Sequence, residues 1–516
     1  VTSSTPGIVA AGHPAAADAA AGVLVDGGNA FDAVVAAGFA SCVCEPGFTS
    51  LAGGGHLLAR TADGRDRLFD FFVDTPGRGR PGPAPEPVFV EVGVSFGAAH
   101  QSFHCGPGSV AVPGTLAGLL HVHAELGSLP LARVVEAAVA LATDGVEVSP
   151  TQAHAFGLLE PILARTEASR AIFLPEGRLL AEGDRLHNPD LGGYLRDLAA
   201  DPSRSFYRGA GASRFADQSA RGGGLLTVDD LVGYQVIERE PLRFRYRDRT
   251  VVTNPPPTFG GSLLALALHR YERLGPPPAV ASPERAERLR AVLAGIDRDR
   301  RHGHPEVVEA LAGRLPAPAR VEAVPSGGSH PDPPPVVTRG TTHVTVADGH
   351  GNVAAMTSSN GECSGDLIDG TGICCNNMLG EDDLHPDGFH AAPPGIRVGS
   401  MMSPTFVLDQ HGRVDLALGS GGSKRIRSAL LQVITDVVDH DRPLAEAVAA
   451  PRIHWDTDHT EAEPGHAPEV IERLEAHAPV NRWPLPSMYF GGVHAVEPGR
   501  GGAGDPRRGG SVRTVG

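Results

Sequence analysis

Residues 336–352 read VVTRGTTHVTVADGHGN. An alternating apolar run, which reads as a β-strand, opens directly after Gly340-Thr341. Upstream, LPAPARVEAVPSGGSHPDPPPV (315–336) is dense in Pro, Ser and Gly. Such a segment buries little and reads as a surface linker. A Thr hydroxyl is a poor nucleophile without a base beside it. When Thr is the first residue of a chain, its own α-amino group, titrating near about 8, supplies that base. The Thr must then be exposed by cleavage, and a preceding Gly permits the unusual backbone that attack on its carbonyl needs. Linker, Gly and Thr at a strand start are all present. The same letters also describe an ordinary turn.

Working outward, 13–46 reads as two Ala-rich helices broken at Gly27-Gly28-Asn29, with Asn29 placed to cap the second. GGGHLLARTADGRDRLFDFF (53–72) alternates, turns at Asp63-Gly64 and returns as a hairpin. A helix follows Pro113-Gly114, 130–235 is helical with Thr227 as a cap, and VVTNPPPTFGGSLLALALHRYERLG is strand, Pro turn and helix. After the linker come the short strands THVTVAD, VAAMTSS, PTFVLD and VDLALGS. Helices early and strands late suggest sheets packed between helical layers.

The 516 residues carry 41% hydrophobic and 20% charged side chains, ample for a core, and a net charge of −16, which disfavours nucleic acid and anionic membranes as partners. Lys424 is the single lysine, and Ala, Gly, Pro and Arg dominate, a GC-biased composition. No run is long enough to span a membrane and no signal peptide is recognisable, so the expectation is a cytoplasmic protein or one whose leader has been removed. Six cysteines do not make a disulfide framework, and Cys374-Cys375 reads as part of a buried strand. His100, His104 and Cys105 lie close together in HQSFHC, but no ligand spacing surrounds them. No metal is expected. No nucleotide-binding context surrounds the glycines, and no cofactor is expected.

TTHVTVADGHGNVAAMTSS is similar to the segment that opens the small subunit of γ-glutamyltranspeptidases, members of the N-terminal-nucleophile hydrolase superfamily. GIVAAGHPAAADAAAGVLVDGGNAFDAVVAA, GGGHLL, GSVAVPGTLAG, LTVDDLVGY, NPPPTFGGS, SMMSPTFVL, GSGGSKRIRSALLQVI and GGVHAVEPGRGGAGDPRRGG follow in that family's order. The resemblance implies an α+β fold, the four-layer αββα sandwich. It also implies one catalytic unit made from a precursor cut at Gly340-Thr341, with a large subunit 1–340 ending in the linker 315–340 and a small subunit 341–516.

Carried over by position, Thr341 aligns with the nucleophile and, once freed, its own base. Ser359 stands where the family has a Thr that bonds the nucleophile. Gly422 and Ser423 stand where two glycines form the oxyanion hole, and Ser still has its N–H. Glutamate recognition departs from the pattern. Phe72 occupies the position of the carboxylate-binding Arg, Ser400 is retained but Met401 replaces a second Ser, and Met378 replaces a Gln. Glu381 replaces an Asp, and Asn360 sits one position early, with Gly361 at the matching site. Losing a bidentate Arg removes the strongest carboxylate anchor available. Either Arg397 or Arg425 substitutes from another direction, or the substrate is not an ordinary γ-glutamyl compound; Glu381 and Asn360 are then candidates to hold a cation or amide.

Three functions are compatible with these residues. One is amide or γ-glutamyl cleavage through an acyl-enzyme with altered specificity. Another is carbon–carbon hydrolysis of a keto-acid side chain, as in actinomycete homologues that trim 4-alkyl-proline precursors of lincomycin-type antibiotics. The third is an unprocessed, non-catalytic binding protein.

Overall fold

The computed structural model describes residues 5–95, 100–301, 340–385 and 388–516. The linker 315–339 lies outside the described residues. Two sheets dominate. The first runs, edge to edge, through Ser511–Val515, Gly7–Ala11, Thr342–Ala347, Val353–Ser359, Gly54–Arg60, Asp66–Phe71 and Ile237–Arg239. The second runs through Gly501–Ala503, Gly492–Glu497, Val414–Gly421, Thr405–Leu408, Arg249–Thr253 and Leu242–Tyr246. Both sheets draw strands from either side of Gly340, so a cut there would leave two interlocked pieces.

Side-chain alternation explains the layering, because successive residues of a strand face opposite sides. Ile8, Ala10, Leu58, Ala355, Phe406, Ala417 and Val496 face inward and pack between the sheets. Their neighbours Val9, Ala11, Leu57, Ala354 and Met356 face outward, onto a helical layer that includes Pro14–Val25 and Ala30–Cys44. Val251, Val407, Leu416, Leu418 and Val493 meet Phe259–Arg273 and Arg425–His440 on the far side of the second sheet. The result is helix, sheet, sheet, helix.

Local signals act as their chemistry dictates. Asn29 accepts from the N–H groups of Phe31 and Asp32 and forms a capping box with Asp32. Thr227 caps Val228–Val232 in the same way. The hairpin at 54–71 pairs Gly55 with Phe71 and Arg60 with Asp66. Cys374 ends a two-residue buried strand and Cys375 follows it, also buried. Several strands escape the sequence reading, among them Gly7–Ala11, which lies beside Thr342–Ala347, and Gly492–Glu497, which pairs with Val414–Gly421. Among the described residues no helix is long and apolar enough to cross a membrane, and no cluster of His, Cys, Asp or Glu could hold a metal ion.

Candidate active site

Thr341 sits at the mouth of strand Thr342–Ala347, nearly fully buried. Its Oγ1 donates to the Gly340 carbonyl at 2.8 Å and lies 3.3 Å from Ser359 Oγ. Ser359 Oγ in turn donates to the Gly340 carbonyl and accepts from the Gly361 N–H at 3.1 Å. Two hydroxyls therefore converge on the carbonyl of the bond that cleavage would break. The Gly340 N–H donates to Glu362 Oε1 at 3.3 Å, and the Thr341 carbonyl accepts from Arg508 Nη1 at 3.0 Å, so the peptide is held on both sides.

Gly340 serves a different purpose from the conformational one its sequence position suggests. Its φ is not in the left-handed region, whereas Gly361 beside it is at +63°. A Cβ on Gly340 would lie 2.2 Å from the Gly361 carbonyl oxygen and 2.5 Å from that of Gly47. Crowding by backbone, not freedom of φ, requires glycine there.

The turn that carries Gly422 and Ser423 approaches from the second sheet. Gly421 packs so closely that a Cβ would fall 2.2 Å from the Thr341 carbonyl oxygen. Gly422 (φ +118°) and Ser423 (φ +49°) follow, and helix Arg425–His440 begins two residues later. Among the described residues neither the Gly422 nor the Ser423 N–H has a hydrogen-bond acceptor. Two open N–H groups at the start of a long helix are suited to developing negative charge.

Thr341 and Ser359 open into a narrow cleft of about 20 Å³, lined also by Phe72, Met378, Glu381, Leu384, Ser400, Met401, Met402, Ser423 and Ile426. The structure thus brings eight of the sequence candidates to one place. Phe72 is fixed from behind: its ring stacks on His56 at 5.8 Å, its N–H donates to Asp70 Oδ1 at 3.0 Å, and its carbonyl accepts from Tyr234 Oη at 2.6 Å. Burial pushes the His56 imidazole down to about 4, against the pull of Asp70. A neutral ring therefore backs the Phe72 wall.

Asn360 is a correction. Its Nδ2 donates to Cys363 Sγ at 3.2 Å and to the Cys375 carbonyl at 3.4 Å, and it does not line the cleft. Ser359 faces Thr341, so its neighbour in the chain turns the other way. Neither substitute Arg reaches the cleft. Arg397 is spent on Asp74 (2.6 Å), Asp70 (2.8 Å) and the Gln235 carbonyl (2.7 Å). Arg425 is fully buried, lies over the Tyr489 ring and donates to the Tyr489 carbonyl. Sequence reasoning missed Leu384, Met402 and Ile426, which carried no signal beyond being apolar near aligned positions.

Behind the nucleophile strand, Thr342 Oγ1 donates to both oxygens of Glu45, at 3.0 and 3.1 Å. Burial raises the Glu45 carboxyl to about 7, opposed by the hydrogen bond from Thr342 and by the charge of Arg508. His343 is a buried neutral ring, held below its ordinary value by burial, with Thr357 Oγ1 and Thr345 Oγ1 each 2.8 Å from a ring nitrogen. Its place is between the sheets, against Gly419.

The Glu45 shift has a consequence for stability. A carboxyl raised on folding contributes stability that is present below its ordinary value of 4.5 and lost as pH rises through about 7. In the uncut Thr341→Ala background, Glu45→Gln should therefore flatten the pH dependence of unfolding between about pH 4.5 and 7.5, by on the order of 3 kcal/mol. Parallel urea-unfolding curves for the two proteins across that range would show that Glu45 does not carry the shift.

Comparison with known proteins agrees with this geometry. The gamma-glutamyltranspeptidase family model matches residues 16–515. The chain is 34% identical over 473 residues to the acylase ACY 1 proenzyme of Pseudomonas sp. (strain SE83), covering 87% of this chain and 83% of that protein. It is 31% identical over 506 residues to the glutathione hydrolase proenzyme of Escherichia coli (strain K12), covering 91% and 85%. Among solved structures, cephalosporin acylase from Bacillus halodurans matches with a TM-score of 0.81 at 23% identity, over 99% of this chain and 96% of that one. The structure of LmbA2991HD matches with a TM-score of 0.76 at 22% identity, over 99% and 98%. With the αββα arrangement of N-terminal-nucleophile hydrolases and the family match spanning nearly its whole length, this chain belongs to the gamma-glutamyltranspeptidase family.

Proposed function

We propose that this protein is a self-processing N-terminal threonine hydrolase that cleaves an amide of a small molecule whose acyl group is predominantly apolar. The observation that carries the reading is the cleft wall: Phe72, Met378, Leu384, Met401, Met402 and Ile426 surround Thr341, and among the described residues no Arg lines it. The polar groups there are hydroxyls and the Glu381 carboxylate, a set that suits hydrogen-bond donors in the substrate and repels a carboxylate. The acylase proenzyme at 34% identity supports the same direction.

In the proposed maturation, Thr341 Oγ1 attacks the Gly340 carbonyl carbon, the C–N bond breaks as the ester forms, and water hydrolyses the ester. The products are a large subunit 1–340 and a small subunit 341–516 that remain interlocked. The freed Thr341 amine then takes the hydroxyl proton as Oγ1 attacks the substrate carbonyl. The Gly422 and Ser423 N–H groups receive the oxyanion, the amine leaves with the proton, and water releases the acyl group.

A panel of anilides sharing one leaving group tests the reading. Apolar acyl anilides should be hydrolysed with kcat/KM roughly 100-fold above the γ-glutamyl anilide, the cost of an unanchored carboxylate in an apolar wall. Preference for the γ-glutamyl compound would refute the substrate assignment. Turnover of a vinylogous keto acid with no anilide cleaved would transfer the same machinery to carbon–carbon hydrolysis.

A further inference from the structure

Ser423 stands in the left-handed region at φ +49°, where glycine is at ease and a side chain is strained. A residue needed only to form this turn would be glycine. The hydroxyl has a partner: Ser423 Oγ donates to Asp383 Oδ2 at 3.1 Å. Asp383 belongs to the short turn Asp382–Leu384, flanked by Glu381 and Leu384, both of which line the cleft. That turn is anchored further by Lys424 Nζ, 3.3 Å from Asp383 Oδ1, and by Arg300 Nη2, which donates to the Asp383 carbonyl at 2.5 Å. The oxyanion turn and the facing wall of the cleft are thus joined by a side-chain hydrogen bond to a charged group, one of the stronger kinds.

We propose that the Ser423–Asp383 hydrogen bond is a specificity-determining tether, which fixes the spacing between the oxyanion N–H pair and the Glu381–Leu384 wall and so limits the acyl group admitted beside Thr341. Its effect on turnover rests on the hydrolase reading above; the tether itself does not. Ser423 acts here through its side chain as a positioning residue, separately from its backbone N–H.

The test is a double-mutant cycle of Ser423→Ala, Asp383→Ala and the pair, with Ser423→Gly and Asp383→Asn as controls, read as kcat/KM on acyl anilides of increasing chain length. Each Ala variant should raise the ratio of long-chain to short-chain kcat/KM about tenfold, the worth of one charge-assisted hydrogen bond. The pair should do no more than either alone. Ser423→Gly should behave like Ser423→Ala although it relieves the backbone, and Asp383→Asn, which keeps an acceptor but loses the charge, should fall between wild type and Asp383→Ala. Additive effects, or a Gly variant with the wild-type ratio, would overturn the tether. Hydrogen exchange of the peptide spanning 381–385 provides a readout independent of turnover: equal loss of protection in both Ala variants supports the tether, and unchanged exchange refutes it. If the wild type hydrolyses nothing, the hydrolase reading fails and exchange alone decides.

Discussion

Thr341→Ala should leave one uncut chain of 53.5 kDa and lower hydrolysis by on the order of 10⁴-fold or more, while wild type should run as fragments 1–340 and 341–516. In the uncut chain Thr341 Oγ1 is already 2.8 Å from the Gly340 carbonyl oxygen, with Ser359 Oγ bonded to the same oxygen. Removing the hydroxyl removes the attacking atom and leaves the fold nearly untouched, since Thr341 lies at a strand mouth and its carbonyl remains held by Arg508. Thr341→Ser keeps the hydroxyl and should still cut. Denaturing mass spectrometry reads both results directly. Two fragments from the Ala variant would mean that another group makes the cut.

Gly340→Ala should block cleavage nearly as completely, for a reason unrelated to nucleophilicity. The added methyl would meet two backbone carbonyl oxygens, at 2.2 and 2.5 Å, and the Phe48 Cα at 3.2 Å. None of these is the far end of a flexible side chain, so the scissile peptide itself must move. A shift of a few tenths of an ångström separates hydroxyl and carbonyl, and near-attack geometry tolerates little. Processing should slow by about 100-fold or more, with about 3 kcal/mol lost from the stability of the uncut chain. Gly351→Ala is the control: its φ of +95° carries backbone strain, but its nearest neighbours are 3.9 Å away and it is remote from the bond. Its cleavage should match wild type. Normal processing by Gly340→Ala would contradict the crowded arrangement around the bond.

Much of the scaffold was legible because its signals are local. Asn29 and Thr227 cap the helices their positions announced, and Asp63-Gly64 turns the hairpin. What could not be read came from contacts between distant segments. The cleft wall collects Phe72, Met378, Met401 and Ile426 from four separate stretches, and only the resemblance linked the first three. Glu45 reaches Thr342 across 297 positions, and Asp383 meets Ser423 across 40. Neither pair has a spacing that periodicity could detect. Asn360 shows the opposite failure: its type suited a ligand contact, but its place directly after Ser359 turned it away from the cleft. Gly340 was attributed to backbone freedom, whereas the structure crowds it against Gly361 and Gly47, packing that is invisible in sequence.

In the proposed mechanism Thr341, as a free N-terminal residue, carries the acyl group. Acid quenching during turnover of a slowly deacylated apolar acyl ester, followed by fragment mass and peptide mapping, tests it most directly. An added acyl mass should appear on fragment 341–516 alone, located on Thr341 and absent from the Thr341→Ala protein. Acylation mapped to Ser359 or Ser423, or an acylated chain still joined across Gly340-Thr341, would contradict it.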